Sequence, residues 1–156
     1  MGIRGLENVG IVVDDLEAAT AFFVGLGLER LGEGPGGSAA IVEGAWVDRV
    51  VGIDGARSEI AMLQTPDGHG RLELMRFLAP EMRDPDRDAP PNTHGIRRLA
   101  FTVDDVRATV ATVREAGHEL LGEVVDHESL YRMCYVRGPE GIIVMFVEEL
   151  APATGA

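Results

Sequence analysis

Hydrophobic and polar positions along the chain follow the same order in two segments, residues 8–33 and residues 98–123, which align without a gap. Each segment opens with a run of β-branched and apolar residues, NVGIVV or LAFTV, that predicts a strand. An Asp pair follows, and apolar residues three and four positions apart then predict a helix whose start the carboxylates can cap. Gly27 and Gly117 suit the ends of these helices.

The alignment of the two segments is dense in identical residues, which indicates an internal repeat. The identities are Val13/Val103, Asp14/Asp104, Asp15/Asp105, Ala18/Ala108, Ala21/Ala111, Gly27/Gly117, Glu29/Glu119, Leu31/Leu121, Gly32/Gly122 and Glu33/Glu123. Three further runs predict strands after each helix: LERLGE, SEIAMLQT and RLELMRF, then ELLGEVV, YRMCYVR and IIVMFVEE. Each half is therefore predicted to be a βαβββ module.

These patterns predict an α+β chain of two tandem modules. The first module spans residues 1–79 and contains an insertion at about 34–55, in which GEGPGGS is expected to be flexible and WVDRVVGIDG to form a turn of helix. Residues 80–94, rich in Pro, Asp and Arg, are predicted to be an exposed linker. The second module spans residues 95–150, and residues 151–156 form a tail expected to be frayed.

Charge and cysteine content narrow the class of partner. The formal net charge of -12 and the isoelectric point near 4.6 disfavour nucleic acid and anionic membrane surfaces. Cys134 is the single cysteine, so the chain forms no internal disulfide. No apolar run approaches the roughly twenty residues that span a bilayer, and the N-terminus lacks an apolar signal core. We therefore expect a cytoplasmic protein without nucleic-acid or membrane partners.

The tandem modules, with NVGIVVDDLEAATAFF, RLELMRF and YVRGPEGIIVMFVEE, resemble the vicinal oxygen chelate superfamily over about residues 5–149. That superfamily includes glyoxalase I, ring-cleaving dioxygenases, methylmalonyl-CoA epimerase and bleomycin-resistance proteins. The resemblance implies a curved, mostly antiparallel sheet whose concave side is a cup, with the helices outside. It also implies a small-molecule ligand in the cup and a homodimer. It does not identify the reaction, because one fold hosts many chemistries.

The resemblance also implies four metal-binding positions, one on the first and one on the last strand of each module. In this chain they fall on Asn8, Glu73, Arg98 and Met145. A divalent cation prefers carboxylate or imidazole ligands, whereas an amide is a weak ligand and a thioether suits softer ions. Arginine has no lone pair to donate. We therefore predict no cofactor, while a divalent metal bound through a different ligand set stays open.

Alternation along the strands predicts which side chains line the cup. Arg98, Ala100 and Thr102 are expected to face it, and Glu73 is expected to point away from its leucine neighbours. Glu73 and Arg98 would then meet, with the guanidinium standing roughly where a metal would and holding Glu73 ionised. The alternative is a structural ion pair in a vestigial site.

Further candidates for ligand binding are aromatic and methionine side chains near the predicted cup, together with one threonine. They are Trp46, Met62, Met75, Phe77, Thr102, Tyr131, Met133 and Met145. Trp46 either closes over the cup or only pins the insertion to the core. The tyrosines Tyr131 and Tyr135 alternate with Arg132 and Cys134, so one of these two sets faces the ligand. Methionines give an adaptable apolar surface, although on strands they often only fill the core.

Two functions follow from these candidates. In the first, the protein is a lyase or isomerase in which Glu73 removes a proton next to a carbonyl, and Arg98 and Asn8 stabilise the oxyanion without a metal. The alternative is non-catalytic sequestration of an aromatic or antibiotic-like compound, since bleomycin-resistance proteins act by binding alone. A metal-dependent glyoxalase or dioxygenase with a non-standard ligand set ranks below both.

Overall fold

A computed structural model describes residues 2–32 and 39–150 of the chain. The chain divides into two compact units, of which unit 1 ends at Pro85 and unit 2 begins at Asp86. The flexible stretch predicted in the insertion, apart from Gly32, and the predicted frayed tail lie outside the described residues. In the described ranges, no helix has the length and apolar character needed to cross a membrane.

Unit 1 contains a five-stranded sheet and two helices. Its elements are β1 (Val9–Val12), α1 (Leu16–Gly25), β2 (Glu29–Leu31), β3 (Ala40–Glu43), α2 (Ala45–Val51), β4 (Arg57–Gln64) and β5 (Arg71–Ala79). The strands lie in the order β1-β5-β4-β2, and β3 also pairs with β4. Strands β1 and β5 are parallel, and the other pairs are antiparallel.

Unit 2 repeats this arrangement with one helix. Its elements are β6 (Arg98–Thr102), α3 (Val106–Glu115), β7 (Glu119–Leu120), β8 (Val125–His127), β9 (Tyr131–Arg137), a 3-10 turn (Pro139–Gly141) and β10 (Ile143–Glu149). The order is β6-β10-β9-β7, with β8 also paired to β9. Again the first and last strands are parallel and the rest antiparallel. The predicted α+β class is confirmed, as two sheets of five strands with three α-helices in the described residues.

Both long helices begin and end as the repeat predicts. Asp15 accepts a hydrogen bond from the Ala18 N–H at 2.9 Å, and Asp105 accepts one from the Ala108 N–H at 3.0 Å. These carboxylates satisfy N–H groups that have no partner inside the helix. Gly27 after α1 adopts a φ of 107°, which favours glycine because it has no Cβ to clash.

Each unit has its own apolar core between one face of the sheet and the long helix. Helix α1 packs on β4 and β5, and α3 packs on β7, β9 and β10. The largest fully buried side chains are Phe23, Phe146, Leu63, Leu74, Val13, Val106, Val113, Val136 and Val144. Below, the far face of a sheet means the face directed away from α1 in unit 1 or from α3 in unit 2.

The structure adds detail that the hydrophobic pattern did not contain. The insertion holds the predicted helical turn as α2 and, in addition, strand β3. The run ELLGEVV, residues 119–125, was predicted as one strand, but only its first two residues form β7, and its last residue, Val125, begins the separate short strand β8. Within the predicted exposed linker, most residues are exposed but Ala89 is only 5% exposed. Arg137 holds this segment by donating to the carbonyls of Arg87 and Ala89, each at 3.0 Å.

Candidate functional site

Strand pairing in unit 1 surrounds Glu73 with small and apolar residues on the far face. Glu73 lies opposite Gly10 on one neighbouring strand and opposite Met62 on the other. Its neighbours Leu72 and Leu74 are buried on the α1 side, because successive side chains of a strand point to opposite faces. Glu73, Met75 and Phe77 therefore share the far face, as predicted from alternation.

The carboxylate of Glu73 is held by Asn8. The Asn8 Nδ2 atom donates a hydrogen bond to Glu73 Oε2 at 3.4 Å, and both side chains are half-buried. The two residues are 65 positions apart, and the parallel pairing of β1 with β5 brings them together. The contact is long for a hydrogen bond, so Asn8 orients the carboxylate without saturating it.

Strand pairing in unit 2 repeats the same geometry with different side chains. Met145 lies opposite Ala100 on β6, just as Glu73 lies opposite Gly10 on β1. The alternation of IIVMFV is too weak to define this register from sequence. The observed pairing supports the residue-by-residue equivalence of Met145 with Glu73, and therefore of Arg98 with Asn8.

Arg98 contacts an aromatic ring in its own unit. Its Cζ atom lies 5.6 Å from the centroid of the Tyr135 ring, a cation–π geometry. Arg98 is exposed, and within unit 2 it forms no ion pair among the described residues. Up to Leu150, unit 2 therefore supplies no carboxylate acceptor for the guanidinium donors of Arg98.

Contacts on the α3 side decide which side chains of β9 face away from the helix. Arg132 donates to both oxygens of Asp126 at 2.7 and 3.0 Å and to Glu148 at 3.4 Å. The other oxygen of Glu148 accepts the Val106 N–H at 2.8 Å, at the start of α3. Cys134 is 4% exposed on the same side, and burial raises the pKa of its thiol. The alternating set with Met133 and Tyr135 therefore occupies the far face.

That far face contains a shallow cavity of about 410 Å³. Its lining includes Pro91, Leu121, Gly122, Glu123, Val125, Met133, Tyr135 and Met145. Met133 and Met145 are predicted ligand residues, and the structure brings them together here. Sequence reasoning left Leu121, Val125 and Pro91 out, because ELLGEVV was interpreted as one strand and Pro91 as linker. Tyr135 was weighed only as one of two alternatives.

Comparison with known proteins supports the same interpretation as the internal repeat. The family model described as Glyoxalase/Bleomycin resistance protein/Dioxygenase superfamily matches residues 5–146. The chain belongs to this superfamily. The match covers both units, in agreement with the resemblance inferred from the tandem modules.

Solved structures of the superfamily share this fold. A glyoxalase family protein from Bacillus cereus is 44% identical, with a TM-score of 0.90 and 97% of each chain covered. A glyoxalase/dioxygenase from Nostoc punctiforme is 25% identical, with a TM-score of 0.61 over 94% of this chain and 91% of that one. The fosfomycin resistance protein FosX from Listeria monocytogenes is 14% identical, with a TM-score of 0.60 over 97% and 95%, and shows likeness of fold alone. No curated protein matches the sequence.

The metal-binding positions of the superfamily carry a donor set that does not fit a hard divalent ion in this chain. Glu73 supplies the single carboxylate, Asn8 supplies an amide already bonded to Glu73, and the equivalent positions of unit 2 hold a guanidinium and a thioether. Across residues 2–32 and 39–150, no group of three or more His, Cys, Asp and Glu side chains is arranged to hold a metal. Binding without a metal stays a prediction.

The remaining predicted ligand residues are more scattered. Trp46, in the first turn of α2, is 58% exposed, and its ring lies beside Gly44. Thr102 and Tyr131 are exposed and do not line the cavity. The pairing of Glu73 with Arg98 joins residues of different units, and it stays a prediction.

Proposed function

We propose that this superfamily member binds a small carbonyl-bearing organic molecule and acts on it as a lyase or isomerase. Glu73 is the general base, and Asn8 and Arg98 are donors to the developing oxyanion. The observation that carries the proposal is the Asn8–Glu73 hydrogen bond on the far face of unit 1, at 3.4 Å. A catalytic base must be positioned within hydrogen-bond reach of a substrate proton, and a half-buried, singly held carboxylate meets that requirement.

The surroundings of Glu73 favour work on an organic ligand rather than a structural role. Met62 lies directly opposite it and Met75 two residues further along β5, so thioethers flank the carboxylate. In unit 1, the arginines with ion pairs bond to other carboxylates, at Glu7, Glu17, Glu43 and Glu59. Glu73 lies among apolar side chains and has no ion pair with the described residues of unit 1, which is typical of a functional group rather than of a solvated surface.

Arg98 suits the stabilisation of negative charge in place of a metal. Its guanidinium is permanently charged and rests on the Tyr135 ring, so its N–H groups remain available to an incoming oxygen. In the proposed step, the Cα–H bond of the substrate breaks, the proton passes to Glu73, and the electron pair moves onto the carbonyl oxygen. Donors aimed at that oxygen lower the barrier by stabilising charge that develops only in the transition state.

The second candidate function is sequestration without turnover. It is favoured by the apolar lining of the unit 2 cavity, where Met133, Met145 and Tyr135 offer an adaptable surface for a flat or branched compound. This function needs the cavity but not the basicity of Glu73. The two candidates therefore differ in what a change at Glu73 does.

The deciding experiment follows loss of α-proton signals by NMR when aldehydes, ketones and thioesters are incubated with the protein in D2O. Glu73→Gln keeps the size and the hydrogen bond to Asn8 but removes the base. We expect it to reduce exchange by about 10²–10⁴-fold and leave ligand affinity within about threefold. Glu59→Gln, on β4 beside Arg76, is the matched control and should exchange like the parent.

Each outcome supports one of the candidates. Exchange that survives Glu73→Gln contradicts its role as base. Binding by parent and variant alike, with exchange by neither, supports sequestration. Exchange that appears only after a divalent ion is added supports the lower-ranked alternative, a metal-dependent enzyme with a non-standard ligand set.

A further inference from the structure

The cavity in unit 2 and Arg98 together indicate which chemical class the ligand belongs to. We infer that the ligand is an amphipathic organic anion, with an aromatic or branched apolar body in the unit 2 cavity and a carboxylate or similar acidic group on Arg98. This inference rests on the proposed function, because it takes Arg98, one of the proposed oxyanion donors, as the residue that binds the acidic group of the ligand. It adds a substrate class and the residues that select for it.

The lining of the cavity accepts apolar groups. Met133 and Tyr135 on β9 and Met145 on β10 form its floor, because these three side chains share the far face of adjacent strands. Leu121 and Val125, from the β7–β8 segment, add aliphatic surface. The volume of 410 Å³ lies within the roughly 300–1,000 Å³ typical of small-molecule sites. Thioethers and an aromatic ring pack well against a flat ligand.

Arg98 stands at the margin of this apolar surface. The Tyr135 ring that lines the cavity is the ring on which the guanidinium of Arg98 rests, at 5.6 Å. A ligand that covers Tyr135 is therefore within reach of a fixed positive charge that has no carboxylate partner among the residues of unit 2 that the structure describes. Guanidinium groups bind carboxylates through two parallel hydrogen bonds, which is a stronger interaction than an exposed cation–π contact.

Charges at the two edges of the unit 2 sheet orient such a ligand. Arg98 lies on β6 at one edge of the sheet, whereas Glu123 follows β7 at the other edge, with β10 and β9 between them. Three strand spacings of about 4.8 Å separate the edges, or about 14 Å. An acidic group is attracted to Arg98 and repelled by Glu123. The apolar body of the ligand then lies over the two central strands, β10 and β9. A cationic ligand would have the opposite preference.

The test uses the full-length protein with its six methionines labelled as [methyl-13C] and titrated with a matched pair of probes. The probes are 2-naphthylacetate and 2-(2-naphthyl)ethanol, which share the ring and differ in the charged group. Met133→Leu and Met145→Leu identify the two methyl signals that report on the cavity. We expect both probes to shift these two signals, with the acid binding at least about tenfold more tightly than the alcohol.

Arg98→Gln should remove the preference for the acid while both probes still shift Met133 and Met145. Arg114→Gln, which removes a charge on α3 instead, is the control and should keep the preference. Circular dichroism checks that each variant is folded. Equal affinities of the two probes for the parent would overturn the inference. So would shifts confined to Met62 and Met75, or no shift with either probe at about 10 mM.

The inference and the proposed function fail separately. If Glu73-dependent exchange is found but the acid has no advantage over the alcohol, the ligand class is wrong and the proposed chemistry stands. If the acid binds beside Met133 and Met145 in an Arg98-dependent manner, but no compound exchanges its protons, the ligand class stands and the role of Glu73 as base fails.

Discussion

Replacing Gly141 with alanine tests how the segment that follows Asp86 is held against the rest of unit 2. Gly141 has a φ of 86°, and an added Cβ would lie against the Arg87 carbonyl oxygen, 2.7 Å from the Cα of that residue. Backbone atoms cannot rotate out of the way as a side chain can. The alanine methyl group therefore displaces the segment around Arg87, which also carries Pro91 at the edge of the cavity.

The expected loss of stability has two parts. A left-handed backbone costs alanine about 1 kcal/mol relative to glycine. Displacement of the segment also weakens the hydrogen bonds from Arg137 to the carbonyls of Arg87, Ala89 and Gly141, at 3.0, 3.0 and 3.2 Å. With losses of about 0.5–1 kcal/mol for each bond, the second part is about 2 kcal/mol. Gly141→Ala should therefore lower the free energy of unfolding by about 3 kcal/mol.

Gly117→Ala is the matched control, because Gly117 has a φ of 89° but its added Cβ would meet no atom within 4 Å. It should cost only the backbone part, about 1 kcal/mol. Urea titration followed by circular dichroism measures both free energies. At about 2–4 °C per kcal/mol, the midpoints of thermal unfolding should fall by about 3 °C for Gly117→Ala and about 9 °C for Gly141→Ala.

Equal destabilisation by the two alanines would refute this reasoning, because it would show that the close approach to Arg87 does not contribute to the loss of stability. Arg137→Met provides a second check. If Gly141→Ala acts by weakening the Arg137 hydrogen bonds, its cost should shrink in an Arg137→Met background. An unchanged cost would indicate that the segment is attached by other contacts.

Three further predictions concern the site and the surroundings of α3. After incubation with nickel, zinc, manganese or iron(II) and desalting, the protein should retain far less than one metal ion per chain. The reason is that the four superfamily positions offer a single carboxylate. One tightly held ion per chain would overturn this prediction. Burial raises the pKa of Cys134, so its thiol should react slowly with a disulfide reagent at about pH 8 in the folded protein and rapidly after unfolding. A rapid reaction of the folded protein would contradict the burial of this thiol. Arg132 lowers the pKa of Asp126 below its usual 3.8, so this carboxylate stabilises the fold above that pH and ceases to do so as the pH falls through the lowered value. The difference in urea midpoint between the parent and Asp126→Asn should be largest near pH 7 and shrink as the pH falls below 3.8, and a constant difference would contradict the linkage.

Much of the fold was predictable because the relevant signals are local. Strand alternation, the helical spacing after each Asp pair and the glycines at the helix ends each depend on a few neighbouring residues. Because the internal repeat places equivalent elements in both halves, the elements predicted in one half supported those predicted in the other. The short strands β3 and β8 were not predicted, because four and three residues carry too little periodicity to separate a strand from a loop.

The candidate site was only partly predictable, for a related reason. Glu73 lies between two leucines on β5, so alternation assigned it to the face away from Leu72 and Leu74, as observed. Its hydrogen bond with Asn8 joins residues 65 positions apart, and no local pattern contains that contact. The cavity residues Leu121 and Val125 come from a segment whose shape depends on its pairing with β9.

By itself, the sequence determined the tandem modules, the capped helices and the unusual residues at the four superfamily positions. The tertiary structure decided the register of β10, because that strand lies between β6 and β9 and is apolar on both faces, which removes the alternation that defines a register. It also decided which side of β9 faces away from α3. Arg132 is drawn to the helix side by Glu148, whose carboxylate caps α3, and Tyr135 is thereby left on the far face with the cavity.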